Sequence, residues 1–307
     1  MEEEFWLNKI EMGVGAWAWG DRWFWGFGGG YKEKDVEEAF EASLEAGIRM
    51  IDTAETYAQG ESERLVGKFI HNQPKQVYVA SKFMPFPWRL SKGALKRSLK
   101  HSLERLGMQK VDLYQMHWPI PPISIENWMN RMAEVHQAGL VDAIGVSNYD
   151  QTQTQRAFEE LARLGVRLAS NQVEYHLLDR RIEKNGLLKQ CQEMGIRVIA
   201  YSPLAQGLLT GKYSVQLPPQ GVRGARVSKS TLEKLSGLIS QMRKIGVLHG
   251  DRTPAQVALN WVICKGALPI PGAKNQIQAV QNAGAMGWRL SEDEIALLDE
   301  AVDRVTG

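Results

Sequence analysis

The chain has little cysteine, no long apolar run and almost no charge imbalance. Its 307 residues include only two cysteines, Cys191 and Cys264, far apart in sequence. They fit neither a disulfide framework nor the spacing of a zinc motif, and read as small apolar residues of a reducing compartment. No apolar stretch approaches the roughly 20 residues that a membrane helix needs, so no membrane partner is expected. A net charge of +2 gives no electrostatic reason to expect nucleic acid. The start, Met1-Glu2-Glu3-Glu4, is too acidic for a secretory signal or a transit peptide, and a cytoplasmic location is expected. His71, His101, His136, His176 and His249 are scattered, without ligand spacing, so no metal site is expected.

What is present is a regular alternation. Short apolar segments at about 48–51, 77–81, 111–116, 141–146, 168–173, 196–201 and 267–270, with a first one inside 5–20, read as strands. Segments of helical periodicity stand between them, for example from Asp35, over 62–70, from Ser91 to Leu106 and from Asp150 to Leu164. Strands that are apolar throughout, without alternation, imply burial on both faces and hence parallel pairing. Eight strand-then-helix units with no linker predict a single (β/α)8 barrel domain over residues 1–307. A short N-terminal hairpin should open it, and long loops at 21–30, 83–90 and 204–229 should crown it. Gly13-Val14-Gly15 lacks the third glycine of a dinucleotide fingerprint.

In such a barrel the C-terminal strand ends form one face, where catalytic groups collect. Asp52 and Tyr57 follow the second strand, Lys82 the third and His117 the fourth. Singly, each has a plain structural reading: a cap, a surface group, a core histidine. Together, at one end of three neighbouring strands, they predict a catalytic cluster. An ammonium beside a phenol favours the phenolate, and a carboxylate would hold that ammonium. An imidazole could orient a carbonyl oxygen. This set protonates an oxygen as negative charge develops on it. No serine or cysteine nucleophile with a partner base stands out, so hydride from a cofactor is the expected reductant.

The later strands offer a place for that cofactor. Ser147, Asn148 and Gln172 carry hydroxyl and amide groups suited to a carboxamide, and Tyr201 offers a flat face. The stretch from Ser202 to Lys212 can present backbone N–H groups to a pyrophosphate, with Lys212 and Arg223 adding charge. Pro271-Gly272-Ala273-Lys274 leads into a helix start, a favourable place for a phosphate. The aromatic loops, with Trp19, Trp23, Trp25, Phe86, Trp88 and Trp118, predict a bulky hydrophobic substrate wall.

These residues resemble the aldo-keto reductase family over nearly the whole chain, about Leu7 to Val302. The motifs are Asp52-Thr53-Ala54-Glu55-Thr56-Tyr57, Ser81-Lys82, the run from Asp112 to Pro119, Gly145-Val146-Ser147-Asn148, Asn171-Gln172, Tyr201-Ser202-Pro203-Leu204 and Ile270-Pro271-Gly272-Ala273-Lys274. The tryptophan-rich start and Ala169-Ser170-Asn171-Gln172-Val173 resemble members from cyanobacteria and chloroplasts. The resemblance implies NADPH-dependent reduction of small aldehydes or ketones, with Tyr57 as general acid, Lys82 and Asp52 as its tuners and His117 as carbonyl orienter. It implies NADP(H) contacts from Ser147, Asn148, Gln172, Tyr201, Ser202, Leu204, Gln206, Gly207 and Lys212, and, around the 2′-phosphate and adenine, from Gly272, Lys274, Gln278, Gln281 and Asn282. Gly15, Ala16, Trp17, Asp52 and Pro203 complete the expected cofactor contacts. Many members carry Arg where this chain has Gln278 and Glu where it has Gln281; Lys274 offers a replacement charge. The family also includes channel-associated subunits that sense the cofactor, so a slow NADP(H)-sensing binding subunit is the alternative. Neither the physiological substrate nor the oligomeric state follows from the sequence.

Overall fold

The computed structural model describes residues 5–71, 73–219, 224 and 227–306. Its strands are β1 (Gly13–Gly15), β2 (Met50–Asp52), β3 (Tyr78–Phe83), β4 (Val111–Met116), β5 (Val141–Ser147), β6 (Leu168–Glu174), β7 (Arg197–Tyr201) and β8 (Leu268–Pro269). They form one parallel sheet in sequential order. The N–H of Gly15 donates to the carbonyl of Pro271 at 3.1 Å, bringing the end of the sheet back to its beginning. The eight strands and their flanking helices make the (β/α)8 barrel that the both-faces-apolar strands predict.

The barrel interior is filled in layers. At the base Met50, Ala80, Leu113, Ala143, Ile199 and Leu268 pack with Leu7 and Ile270. Two residues further along β2, β3 and β4, on the same face of each strand, stand Asp52, Lys82 and Gln115, all buried. An apolar floor thus carries a polar layer. Gly145 makes room for it: a Cβ there would lie 2.3 Å from Ser170 Oγ and 2.9 Å from Gln115 Cγ. The β5–β6 register slips between Ile144 and Gly145, so that Ile144 pairs with Leu168 but Gly145 with Ser170. One extra residue on β6 exchanges the faces of the residues after it. Ala169 therefore joins the floor, while Gln172, and not Asn171, reaches Asp52.

Some expected elements differ. Among the described residues no N-terminal hairpin forms; Trp6–Lys9 is a single 3-10 turn. Its apolar residues plug the barrel base instead of pairing, with Leu7 fully buried and Trp6 stacked on Tyr78 at 4.2 Å. The first helix, Glu33–Glu45, starts after Lys32; Asp35 lies inside it and accepts the Lys32 backbone N–H at 2.7 Å. Ser91 does not cap the third helix, which begins at Ala94, but accepts a bond from Arg97. Asp150 does cap its helix, taking the Gln153 N–H at 2.8 Å. Two short helices, Arg181–Lys184 and Leu187–Glu193, lie between β6 and β7. Among the described residues no helix is long and apolar enough to cross a membrane.

Candidate active site

Strand β2 ends on Asp52, and the chain then turns back through the 3-10 segment Tyr57–Gly60. That turn requires left-handed backbone at Ala58, Gln59 and Gly60. It is fastened from two sides. Thr53 Oγ1 and Ser62 Oγ are 2.8 Å apart, and Ser62 Oγ donates to Ala16 O at 2.9 Å. Glu55, also in this turn, accepts the Met84 N–H at 2.8 Å and pairs with Arg89, tying the loop after β2 to the loop after β3. The result aims Tyr57 back over the strand ends.

The four residues expected to act together do meet. Lys82, with no exposed surface, donates to Asp52 Oδ1 at 2.5 Å, Thr53 O at 2.9 Å and Tyr57 Oη at 3.2 Å. Its three protons are therefore fully used. Asp52 Oδ2 accepts from Gln172 Nε2 at 2.8 Å and Gln115 Nε2 at 3.2 Å. The Tyr57 and His117 rings stand edge to face with centroids 5.8 Å apart. His117 is fixed through its backbone: its N–H donates to Phe83 O at 2.9 Å and its carbonyl accepts Asn148 Nδ2 at 3.1 Å. Its ring Nδ1 is buried without a hydrogen-bond partner.

Electrostatics at this site correct one expectation, that the ammonium makes the phenol acidic. Burial pushes the Tyr57 hydroxyl up, Lys82 pulls it down and Asp52 pushes it up again, leaving it above the ordinary phenol value. Burial opposes the charge on Lys82, but Asp52 and Tyr57 outweigh it and hold the amine above its usual range. Burial first, and then the Lys82 charge, press His117 down to about 3. Near neutral pH the site therefore holds a protonated phenol, an ammonium and an uncharged imidazole.

Alongside lies a second polar group. Ser147 Oγ donates to Gln172 O at 2.8 Å, Asn148 Nδ2 to Ser147 Oγ at 3.0 Å, and Tyr201 Oη to Asn148 Oδ1 at 3.0 Å. Tyr201 is only half-buried, so part of its surface is open. Amides, a hydroxyl and a flat phenol beside His117 form a donor set that fits the carboxamide and ring of a nicotinamide. Toward β8, Gly272 is exposed, and a Cβ there would meet nothing nearer than Gly15 O at 3.6 Å. Among the described non-glycine residues seven have positive φ. Six of these, Ala58, Gln59, Asn148, Ser202, Ala205 and Gln206, lie in the loops after β2, β5 and β7, a concentration of backbone strain typical of ligand sites.

The remaining expected residues divide. Trp17 lies over the cluster, 6.4 Å from the Tyr57 ring, stacked on Phe24 at 5.2 Å and edge-on to Trp25 at 5.4 Å. Trp19, expected in the substrate wall, is a core residue: it is fully buried against Phe40 and Phe69, and its indole N–H donates to Ala273 O at 2.8 Å. Phe86 and Trp88 stack on each other at 4.7 Å. Trp23 is 96% exposed. Ala16 and Pro203 are buried and Trp118 is exposed. Leu204 packs against the core, and Gln206 and Gly207 form the left-handed kink of the turn Ala205–Thr210. Lys212 is exposed, with its amine 4.9 Å above the Tyr213 ring. Gln278 accepts the Lys274 N–H at 2.9 Å, Asn282 donates to Gly272 O at 3.2 Å, and the Gln281 carbonyl accepts Gln256 Nε2 at 3.0 Å. Arg223 lies outside the described residues.

Gln115 is a member of the cluster that sequence reasoning does not single out. The available signal is an amide near the end of the fourth strand, two positions before His117; in the structure it pairs in register with Lys82. Phe24, part of the aromatic loop 21–30 expected to form a wall, stacks on Trp17, and Trp17, expected only at the cofactor, stands with these aromatics too. Among the described residues no group of three or more His, Cys, Asp or Glu side chains is placed to hold a metal.

A model of the Aldo/keto reductase family matches residues 11–303. The chain belongs to that family. It is therefore an oxidoreductase by kinship. It is 39% identical to the chloroplastic pyridoxal reductase of Arabidopsis thaliana over 96% of this chain and 84% of that one. Among solved structures it resembles the glycerol dehydrogenase of Gluconobacter oxydans, with a TM-score of 0.83, 28% identity and coverage of 96% and 91% of the two chains. It also resembles a Klebsiella pneumoniae aldo-keto reductase solved with NADPH, with a TM-score of 0.73, 31% identity and coverage of 94% and 90%.

Proposed function

We propose that this protein reduces small aldehydes or ketones to alcohols, using NADPH. The observation that carries this reading is the buried Lys82 ammonium, bonded at once to Asp52 and Tyr57 beside an uncharged His117. The cofactor, when bound, supplies hydride. A neutral imidazole can donate to the carbonyl oxygen and hold it near the Tyr57 hydroxyl. Tyr57 then gives its proton to that oxygen, and the adjacent ammonium stabilises the phenolate left behind. Ser147, Asn148, Gln172 and Tyr201 are the residues we assign to the nicotinamide end, and Gly272 and Lys274 those we assign to the phosphate end. The aromatic group of Trp17, Phe24 and Trp25 favours a hydrophobic carbonyl compound. The name of the Arabidopsis relative makes pyridoxal the first aldehyde to try. We assign the cytoplasm as the setting, which suits two unpaired cysteines.

The test is Tyr57→Phe. Loss of the general acid should lower kcat by at least about 10²- to 10⁴-fold, while NADPH fluorescence titration shows binding unchanged. Near-normal turnover would remove Tyr57 from its role. A panel of aldehydes run with NADPH and NADH separates a reductase from a slow sensor by whether multiple turnovers occur.

A further inference from the structure

Lys274 does more than carry charge. Its amine donates to Trp25 O at 3.0 Å and sits 4.6 Å above both the Trp25 and Tyr31 rings. Trp25 meets Trp17 edge-on at 5.4 Å and Phe24 at 5.1 Å, and Trp17 leans over Tyr57. The neighbouring residue is tied in as well, since Ala273 O accepts the Trp19 indole N–H. The backbone after β8 thus holds the aromatic loop 21–31 through Lys274, and that loop braces the ring nearest the phenol.

Resting on the cofactor reading above, we propose that Lys274 sets the substrate wall according to the cofactor's 2′-phosphate. Without that phosphate the ammonium clamps Trp25. A phosphate is a stronger partner for an ammonium than a neutral carbonyl and two ring faces. Its arrival therefore draws Lys274 away and frees the loop 21–31. NADPH relaxes the wall for a bulky carbonyl compound, whereas NADH leaves it clamped.

Hydrogen exchange of the backbone amides in 21–31 reads this on the intact chain, without turnover. The Phe27 and Gly28 amides report it, being bonded within the loop to Asp21 O and Tyr31 O. The probes are adenosine 2′,5′-bisphosphate, which has the 2′-phosphate, and adenosine 5′-monophosphate, which lacks it. The bisphosphate should speed exchange about three- to tenfold, and the monophosphate should not. Lys274→Met should exchange fast with no ligand and show no further response, and Lys274→Arg should behave like the wild type. Slow exchange in unliganded Lys274→Met overturns the clamp. Bisphosphate binding by calorimetry without faster exchange overturns the coupling. Failure of the bisphosphate to bind at all overturns the NADPH assignment and the coupling with it, while the clamp is still decided by the unliganded variant.

Discussion

The uncharged state of His117 can be tested through stability. Its ring is pressed from an ordinary 6.5 to about 3 in the folded protein. The unfolded chain therefore takes up this proton first. The contribution to stability is complete above pH 6.5 and is lost as the pH falls toward 3. Between pH 7 and pH 5 the folded state should lose about 2 kcal/mol from this group alone, because a proton bound only by the unfolded chain costs about 1.4 kcal/mol for each pH step below 6.5. Carboxylates elsewhere also titrate, so the measurement is a difference. Urea unfolding of the wild type and of His117→Gln, each at pH 7 and pH 5, isolates the histidine. The substitution has its own cost, but that cost is common to both pH values and cancels. The wild type should lose about 2 kcal/mol more than the variant over this interval. Equal losses would mean that His117 titrates in the folded protein as it does in the unfolded chain, and the burial said to hold the imidazole uncharged would be refuted.

Gln115→Leu removes one of the two amide donors on Asp52 Oδ2. A bond to a charged acceptor is worth about 1.5–3 kcal/mol, so kcat should fall by roughly tenfold or more while KM for the carbonyl compound stays within about twofold. An unchanged kcat would show that Gln172 alone suffices. Trp19→Ala should cost about 3–5 kcal/mol of stability and leave KM nearly unchanged in protein that remains folded; a raised KM with normal stability would return Trp19 to the substrate wall.

How much of the fold and site is legible in the sequence depends on the signal each residue type can carry. Strands buried on both faces announce themselves as uninterrupted apolar runs, which is why the barrel and its strand order can be read. Asp52, Lys82 and His117 are readable because each interrupts or ends such a run, and Tyr57 because it closes the polar stretch that follows Asp52. The slip in β6 is not: Ala169, Ser170, Asn171 and Gln172 give no local hint of which will face inward, and the choice is made by the room that Gly145 leaves across the pair. The aromatic residues of loop 21–31 and Trp19 look alike as one hydrophobic surface, yet Trp19 packs on Phe40 and Phe69. An indole is equally at home in a core and in a pocket, so composition does not separate them. The missing hairpin has a similar cause. Phe5, Trp6 and Leu7 suit a strand, but the open base of the barrel offers them more burial than a two-stranded ribbon would.

The acidity of Tyr57 also departs from the sequence expectation, and the departure bears on mechanism. At 3.2 Å and an effective dielectric of about 20, an ammonium attracts a full phenolate charge by about 5 kcal/mol. That is a large pull, but Asp52 at the far side of the ammonium and the loss of water both oppose it. The phenol therefore does not ionise at rest. Lys82 acts when the proton leaves, by receiving the charge that appears, so Tyr57 remains in its donating form across the working range. An ultraviolet titration of the wild type against Tyr57→Phe checks this. The two proteins should show the same tyrosinate signal up to about pH 10. An extra tyrosinate in the wild type well below that pH would mean that the ammonium prevails over burial, and that the phenol is partly spent before any carbonyl compound arrives.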